Sequence, residues 1–346
     1  MMISKYNNSK IKILNTVLIM MVLYIHSFYI EGTNYEIAYA IQRFLGTSGI
    51  MSVATQLFFS ISGFLFFYNI ETIKECFPKI KKRIRTLIVP YLIWNIIFVL
   101  WYIALEEIPF ASKFINGSIQ DNFNNFIDSV YFLFIKPANF PLWFLRDLIV
   151  FVFCSPIIFL FIKSLRWWSI LITIIITYFL PFVGLYYFVL GGCIAMLSSL
   201  DGIENILNKW VVGFCALIYL GMSVYIVTRP AVSLFIHTYL QLTIMGFSGI
   251  ITIWRGFDYI ANRKLFAETK LAKIFCGYSF FVYLFHEPVF NIIKKIPIRL
   301  LGATEPVIIL MFLINPFIMY VFSIIVAKIL QHFVPKVYSI LIGGRG

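Results

Sequence analysis

Long apolar runs recur along the whole chain, separated by polar segments. They fall at about 13–30, 50–70, 86–105, 141–162, 167–180, 182–199, 210–228, 232–254, 274–294 and 306–330. Runs of roughly 18 or more apolar residues are long enough to cross a hydrocarbon core of about 30 Å as α-helices. The fifth run is short and is expected to form a tight hairpin with the sixth around Pro181. The pattern predicts an all-α fold: a polytopic membrane helix bundle of about ten transmembrane helices. The first run, ILNTVLIMMVLYIHSFYI, lacks a small-residue cleavage site and is expected to span the membrane instead of being removed. With no internal repeat, low-complexity tract or soluble insertion, 1–346 reads as one transmembrane domain.

Composition supports that reading. Of 346 residues, 61% are hydrophobic, 19% aromatic and only 12% charged, which excludes an ordinary soluble domain. The net charge of +13 would suggest nucleic acid in a soluble chain, but its distribution here reports topology instead. With the N-terminus cytoplasmic, inner segments hold 20 of the 28 lysines and arginines, and outer segments hold seven. Both termini are therefore expected on the cytoplasmic side. One outer segment, with Lys294, Lys295 and Arg299, runs against the trend, and the sequence offers no reason for it. The longest connection, 106–140, is expected outside, with an apolar patch from Val130 to Ile135 that reaches the interface. Five scattered cysteines show no ligand spacing, and no His/Asp/Glu set at helical spacing suggests a metal.

Against this apolar background the polar groups stand out. Asn15 and His26 in the first run are eleven residues apart, so they share one helix face about 16 Å apart along the axis. PLWFLRDL opens the fourth run with Trp143, Arg146 and Asp147, His237 is early in the eighth, and GYSFFVYLFHEPVF carries His286 and Glu287 late in the ninth. The predicted topology places all five ionisable groups, with His26, in the outer half, where they are candidates for one polar cavity. The bland alternatives are a histidine bonded to a neighbouring helix and a helix-to-helix ion pair. Arg146 needs a counter-charge or an anionic ligand, with Asp147 and Glu287 as candidates. Arg146 and Asp147 point about 100° apart and need not pair. In FFSISGF, Ser60 and Ser62 are expected to bond back to their own helix, with Gly63 allowing close packing. Toward the cytoplasm, FPKIKKRIRTLIVPYLIW sets Lys79, Lys81, Lys82, Arg83 and Arg85 before the third run. That cluster suits anionic headgroups or a phosphate-rich cytosolic ligand.

Taken in order, several stretches resemble the acyltransferase-3 family of integral membrane acyltransferases, many of which O-acetylate bacterial surface polysaccharides. The stretches are the histidine-ended first run, QLFFSISGFLFF, KKRIRTLIVPYLIW, PLWFLRDLIV, YYFVLGGCIAM and SFFVYLFHEPVF. The family pattern of an arginine, ten residues and a histidine falls on Asn15 and His26, so the arginine is missing here; Lys12 is a nearby substitute. A second pattern, two arginines three positions apart, falls on Lys82 and Arg85.

The resemblance implies a bacterial inner-membrane O-acetyltransferase. Its donor would be acetyl-CoA (or another acyl-CoA) from the cytosol, its acceptor a hydroxyl of a surface or periplasmic glycan or a lipid-linked precursor, and its surroundings membrane lipids, with no nucleic acid. His26, His286 and Arg146 form the expected catalytic set. His26 would act as general base, His286 would protonate the leaving thiolate or orient the acceptor, and Arg146 would stabilise the oxyanion. Glu287, Asp147 and Trp143 are expected at the acceptor, and Lys82, Arg85 and Asn15 at the donor. An acyl-histidine intermediate is the alternative to direct transfer. The rival functions are a transporter of a glycan or small anion and a structural membrane subunit.

Overall fold

The apolar runs become helices in the computed structural model, which describes residues 3–29, 35–108, 131, 135–228, 235–261 and 268–345. Most of the 106–140 connection, with its apolar patch, lies outside the described residues, and so do the side chains of 235–238, including His237. The helices are α1 (Lys5–His26), α2 (Glu36–Gln42), α3 (Ala54–Phe67), α4 (Cys76–Arg83), α5 (Val89–Glu106), α6 (Trp143–Phe153), α7 (Ser155–Leu165) and α8 (Trp168–Phe179). They continue as α9 (Leu185–Leu197), α10 (Leu200–Ile206), α11 (Lys209–Thr228), α12 (Phe235–Ala261), α13 (Lys270–Ile293), α14 (Lys295–Leu301), α15 (Glu305–Phe333) and α16 (Pro335–Leu341). No strand occurs among the described residues.

Five helical stretches are long and apolar enough to cross a membrane: Lys5–His26, Glu36–Phe67, Ile73–Glu106, Lys209–Thr228 and Glu305–Phe333. Two bent pairs raise the number to seven if each is one span. The fourth apolar run, expected as one helix, is such a pair: α6 and α7 meet at 66°. Pro156 has no N–H to bond back across the joint at Cys154, which favours the break there. The second pair, α9 and α10, bends by 104° at Ser199, whose side chain accepts from Gly202 N (3.0 Å) and starts a new helix.

α1 begins eight residues before its apolar run. Ser4 caps it, its hydroxyl accepting from Asn7 N at 3.1 Å. The early start carries Lys10 into the interior, where it is 0% exposed. Its ammonium lies 2.8 Å from both Glu204 and Asp258, and Arg255 approaches Asp258 at 2.5 Å. Two cations thus face two carboxylates, and the cluster ties α1 to α10 and α12.

α3 and α9 cross where both are smallest. A Cβ added to Gly63 would lie 2.0 Å from Phe188 O, and one on Gly191 2.0 Å from Ser60 O, so only glycine permits this backbone approach. Ser60 bonds back to Gln56 O (3.1 Å), as its sequence context suggested. One apolar cluster, with Leu18, Phe67, Phe151, Phe188, Phe281 and Tyr320 among its members, fills the centre between α1, α3, α6, α9, α13 and α15. Outward faces carry exposed Leu100, Ile157, Phe179, Leu217 and Phe333, a pattern suited to lipid contact.

Candidate functional site

α1 ends on His26, and α13 breaks beside it. The proline at 288 disfavours helical torsions at the residue before it. Glu287 accordingly stands at φ −97°, ψ 137° inside α13. The break turns consecutive side chains, His286 and Glu287, toward the end of α1. The His26 and His286 rings are 5.0 Å apart between centroids. His26 Nδ1 lies 3.8 Å from Glu287 Oε1. Asn291, one turn on, donates to Glu287 Oε2 at 2.6 Å and fixes the far side of the carboxylate. Asn139 Nδ2 donates to the Glu287 carbonyl at 3.5 Å. Lys294 donates to His26 O at 2.9 Å, meeting one of the carbonyls a helix C-terminus leaves unpaired. That contact gives Lys294 a reason to sit in a segment whose charge ran against the topology.

His286 is 0% exposed, and its Nδ1 donates to Tyr283 O at 2.7 Å. A carbonyl can only accept, so Nδ1 carries a proton, and in the neutral ring Nε2 is the acceptor. Nε2 is buried and has no hydrogen-bond partner among the described residues. Tyr283 is itself fixed, its hydroxyl donating to Pro141 O at 2.8 Å. His26 differs: its side chain is 19% exposed, and it opens onto a cavity.

That cavity has a volume of about 490 Å³ and is walled by α1, α3, α6 and α13. The register of the helices gives its course. Along α1 its lining runs from His26 to Asn15, and along α3 from Thr55 to Phe66, eleven residues or about 16 Å in each case. Trp143 and Tyr283 lie toward the His26 end; Leu65, Val152 and Phe280 lie toward the other, which Arg83 and Arg345 close. No aspartate or glutamate lines it among the described residues. The result is a long, mostly apolar passage with a histidine at one end and guanidinium groups at the other.

The structure therefore brings His26, His286 and Glu287 together; of the three His26 lines the cavity, with Asn15 on the same wall. Arg146 and Asp147 stand elsewhere. Although adjacent, they do pair: Arg146 bends over its neighbour, with Nη2 2.6 Å and Nε 2.8 Å from Asp147 Oδ1, and Nη1 donates to Ile135 O at 2.6 Å. The adjacent helical positions diverge, but the long arginine side chain spans that angle. Both residues line a second cavity of about 540 Å³, with Lys136, Gln56 and Tyr187, and Glu287 is not their partner. Trp143, Phe140 and Thr55 border both cavities. Lys82 and Arg85 are exposed, and the cavity is lined by Arg83 between them; Lys12 is exposed and off the cavity wall. Sequence reasoning missed Asn291, Lys294 and Arg345. The first two follow Glu287 at helical spacings of four and seven, a signal that was there to find. Arg345 follows two glycines at the end of the chain, and nothing local marks it.

The family model described as an acyltransferase domain matches residues 8–332, nearly the whole chain, so the chain belongs to this acyltransferase family. It is 24% identical over 323 residues to the succinoglycan biosynthesis protein ExoH of Rhizobium meliloti (strain 1021), covering 90% of this chain and 84% of that protein. No solved structure matches.

Proposed function

We propose, from this membership in the acyltransferase-3 family, that the protein is an O-acyltransferase of the bacterial inner membrane. It moves an acetyl group from cytosolic acetyl-CoA to a hydroxyl of a surface or periplasmic glycan, or of its lipid-linked precursor. The observation that carries the reading is the single cavity linking His26 to a basic end about 16 Å away, an apolar passage sized for a donor's extended arm. The relative named for succinoglycan biosynthesis supports a polysaccharide acceptor. The charge distribution supports cytoplasmic termini, and in that orientation the arginine end is inside and the histidine end outside.

In this reading, His26 is the general base. Glu287 at its Nδ1 side favours the tautomer with the proton on Nδ1, leaving Nε2 to take the proton of the acceptor hydroxyl. The freed alkoxide attacks the thioester carbonyl. Collapse of the tetrahedral intermediate breaks the C–S bond and expels the thiolate, which takes from the imidazolium the proton that came from the acceptor hydroxyl. Glu287 stabilises that imidazolium while it exists. His286, held by Tyr283 O and buried off the cavity wall with its ring 5.0 Å from that of His26, positions the His26 ring instead of touching the acceptor. Arg146, already satisfied by Asp147 and Ile135 O, shapes the neighbouring cavity and is not the oxyanion donor. That second cavity, which shares Trp143 with the first as a wall residue, is the proposed place for the glycan.

The test uses purified protein in nanodiscs, acetyl-CoA labelled in the acetyl group and a crude envelope glycan extract. Label appearing in glycan only when protein is present supports the reaction. Glycan or anion uptake into proteoliposomes with no label transfer supports a transporter in its place.

A further inference from the structure

The basic end of the cavity is partly made by the tail of the chain. After α16, Gly343 and Gly344 turn the backbone at φ 68° and 70°, which residues with side chains rarely adopt. The turn lies flat on the α4–α5 junction: a Cβ at Gly343 would stand 2.8 Å from Thr86 Cα and 2.9 Å from Arg85 O. Trp94 Nε1 donates to Leu341 O at 3.0 Å and anchors the end of α16. The chain is thereby directed so that Arg345 enters the cavity mouth. Its Nη2 donates to Thr86 O at 3.0 Å, and its guanidinium carbon lies 3.6 Å from the Phe280 ring centroid.

Arg83 reaches the same cavity from the end of α4. Neither arginine pairs with a carboxylate among the described residues. Desolvation, with the charge of Arg83, holds the Arg345 pKa below its ordinary value. Two like charges kept at one mouth with no acid beside them are stabilised by a multiply charged anion, and guanidinium forks match phosphate oxygens in pairs. α1, with Asn15 on the wall, contributes no cation there.

We propose that Arg83 and Arg345 form the cradle for the phosphate groups of the acyl donor, with Arg345 delivered by the Gly343–Gly344 turn. The assignment rests on the acyltransferase reading and makes the C-terminal tail part of the donor site. The shared chemistry is phosphate, which a coenzyme A donor or an anionic lipid headgroup supplies.

The test measures coenzyme A binding by calorimetry in nanodiscs of zwitterionic lipid only, for wild type, Arg345→Ala and Arg345→Lys. A lost charge-assisted contact weakens coenzyme A by roughly 10- to 100-fold in Arg345→Ala, and Arg345→Lys recovers part of it. S-acetylpantetheine, which has no phosphate, binds all three alike. Wild-type affinity for coenzyme A in folded Arg345→Ala overturns the cradle while leaving transfer by the wild type intact. Equal weakening for S-acetylpantetheine also overturns it, because the damage is then not to phosphate recognition. Coenzyme A failing to bind wild type there, with Arg345-dependent retention of anionic lipid in parallel nanodiscs that contain it, assigns the cradle to a headgroup and overturns the donor assignment.

Discussion

Asn291→Leu is the sharpest probe of how the histidine end works. The amide donates to Glu287 Oε2 at 2.6 Å, and the other carboxylate oxygen, Oε1, faces His26 Nδ1 at 3.8 Å. Leucine is close in volume and cannot donate. A hydrogen bond to a charged acceptor contributes about 1.5–3 kcal/mol, and 1.36 kcal/mol is tenfold in rate. If that energy holds the carboxylate against His26 in the transition state, kcat falls about 10- to 150-fold. The donor KM stays within about twofold, because the cationic donor end lies about 16 Å along the cavity. The assay is initial-rate label transfer from acetyl-CoA, with intrinsic-fluorescence melting to confirm the fold. In a Glu287→Gln background the further loss from Asn291→Leu shrinks, since the two act through one contact. A kcat within about twofold of wild type, or a loss confined to donor KM, refutes the positioning argument.

Three further outcomes follow from the packing and the donor cradle. Lys10→Met removes one of the two cations from two buried carboxylates, leaving Arg255 with the neutral donors Tyr6 and Trp254, and costs about 3–5 kcal/mol, read as a lower melting temperature in detergent; adding Glu204→Gln restores part of it. Unchanged melting in Lys10→Met contradicts the buried-charge account. Gly63→Ala drives a Cβ into Phe188 O at 2.0 Å, so the monodisperse fraction on fluorescence-detected chromatography collapses; a wild-type profile contradicts close α3–α9 contact. Arg345→Ala loses coenzyme A affinity and keeps S-acetylpantetheine affinity, as set out above.

Much of this was legible in the chain. Runs of apolar residues gave the helical class because a bilayer leaves few other solutions for the backbone. His26, His286 and Glu287 were conspicuous because ionisable groups are costly there, and His-Glu-Pro carried its own kink. What the sequence did not give was direction around a helix. Among five neighbouring cations, helix rotation alone decides that Arg83 faces the cavity while Lys82 and Arg85 face out. The Arg146–Asp147 pair depended on side-chain reach, which backbone spacing does not specify. Lys10 looked like a flanking charge until the Ser4 cap began the helix early and its partners arrived from 204 and 258, about 190 and 250 residues away. Arg345 became a site residue only through tertiary docking of the tail.

In the proposed reaction His26 takes the proton from the acceptor hydroxyl. The direct measurement compares wild type with His26→Ala in the acetyl-transfer assay, alongside coenzyme A binding and melting temperature for both. Turnover is expected to fall about 10²- to 10⁴-fold, with the fold and the coenzyme A affinity retained. Turnover near wild type in folded, coenzyme A-binding His26→Ala would contradict it and remove His26 from the chemistry.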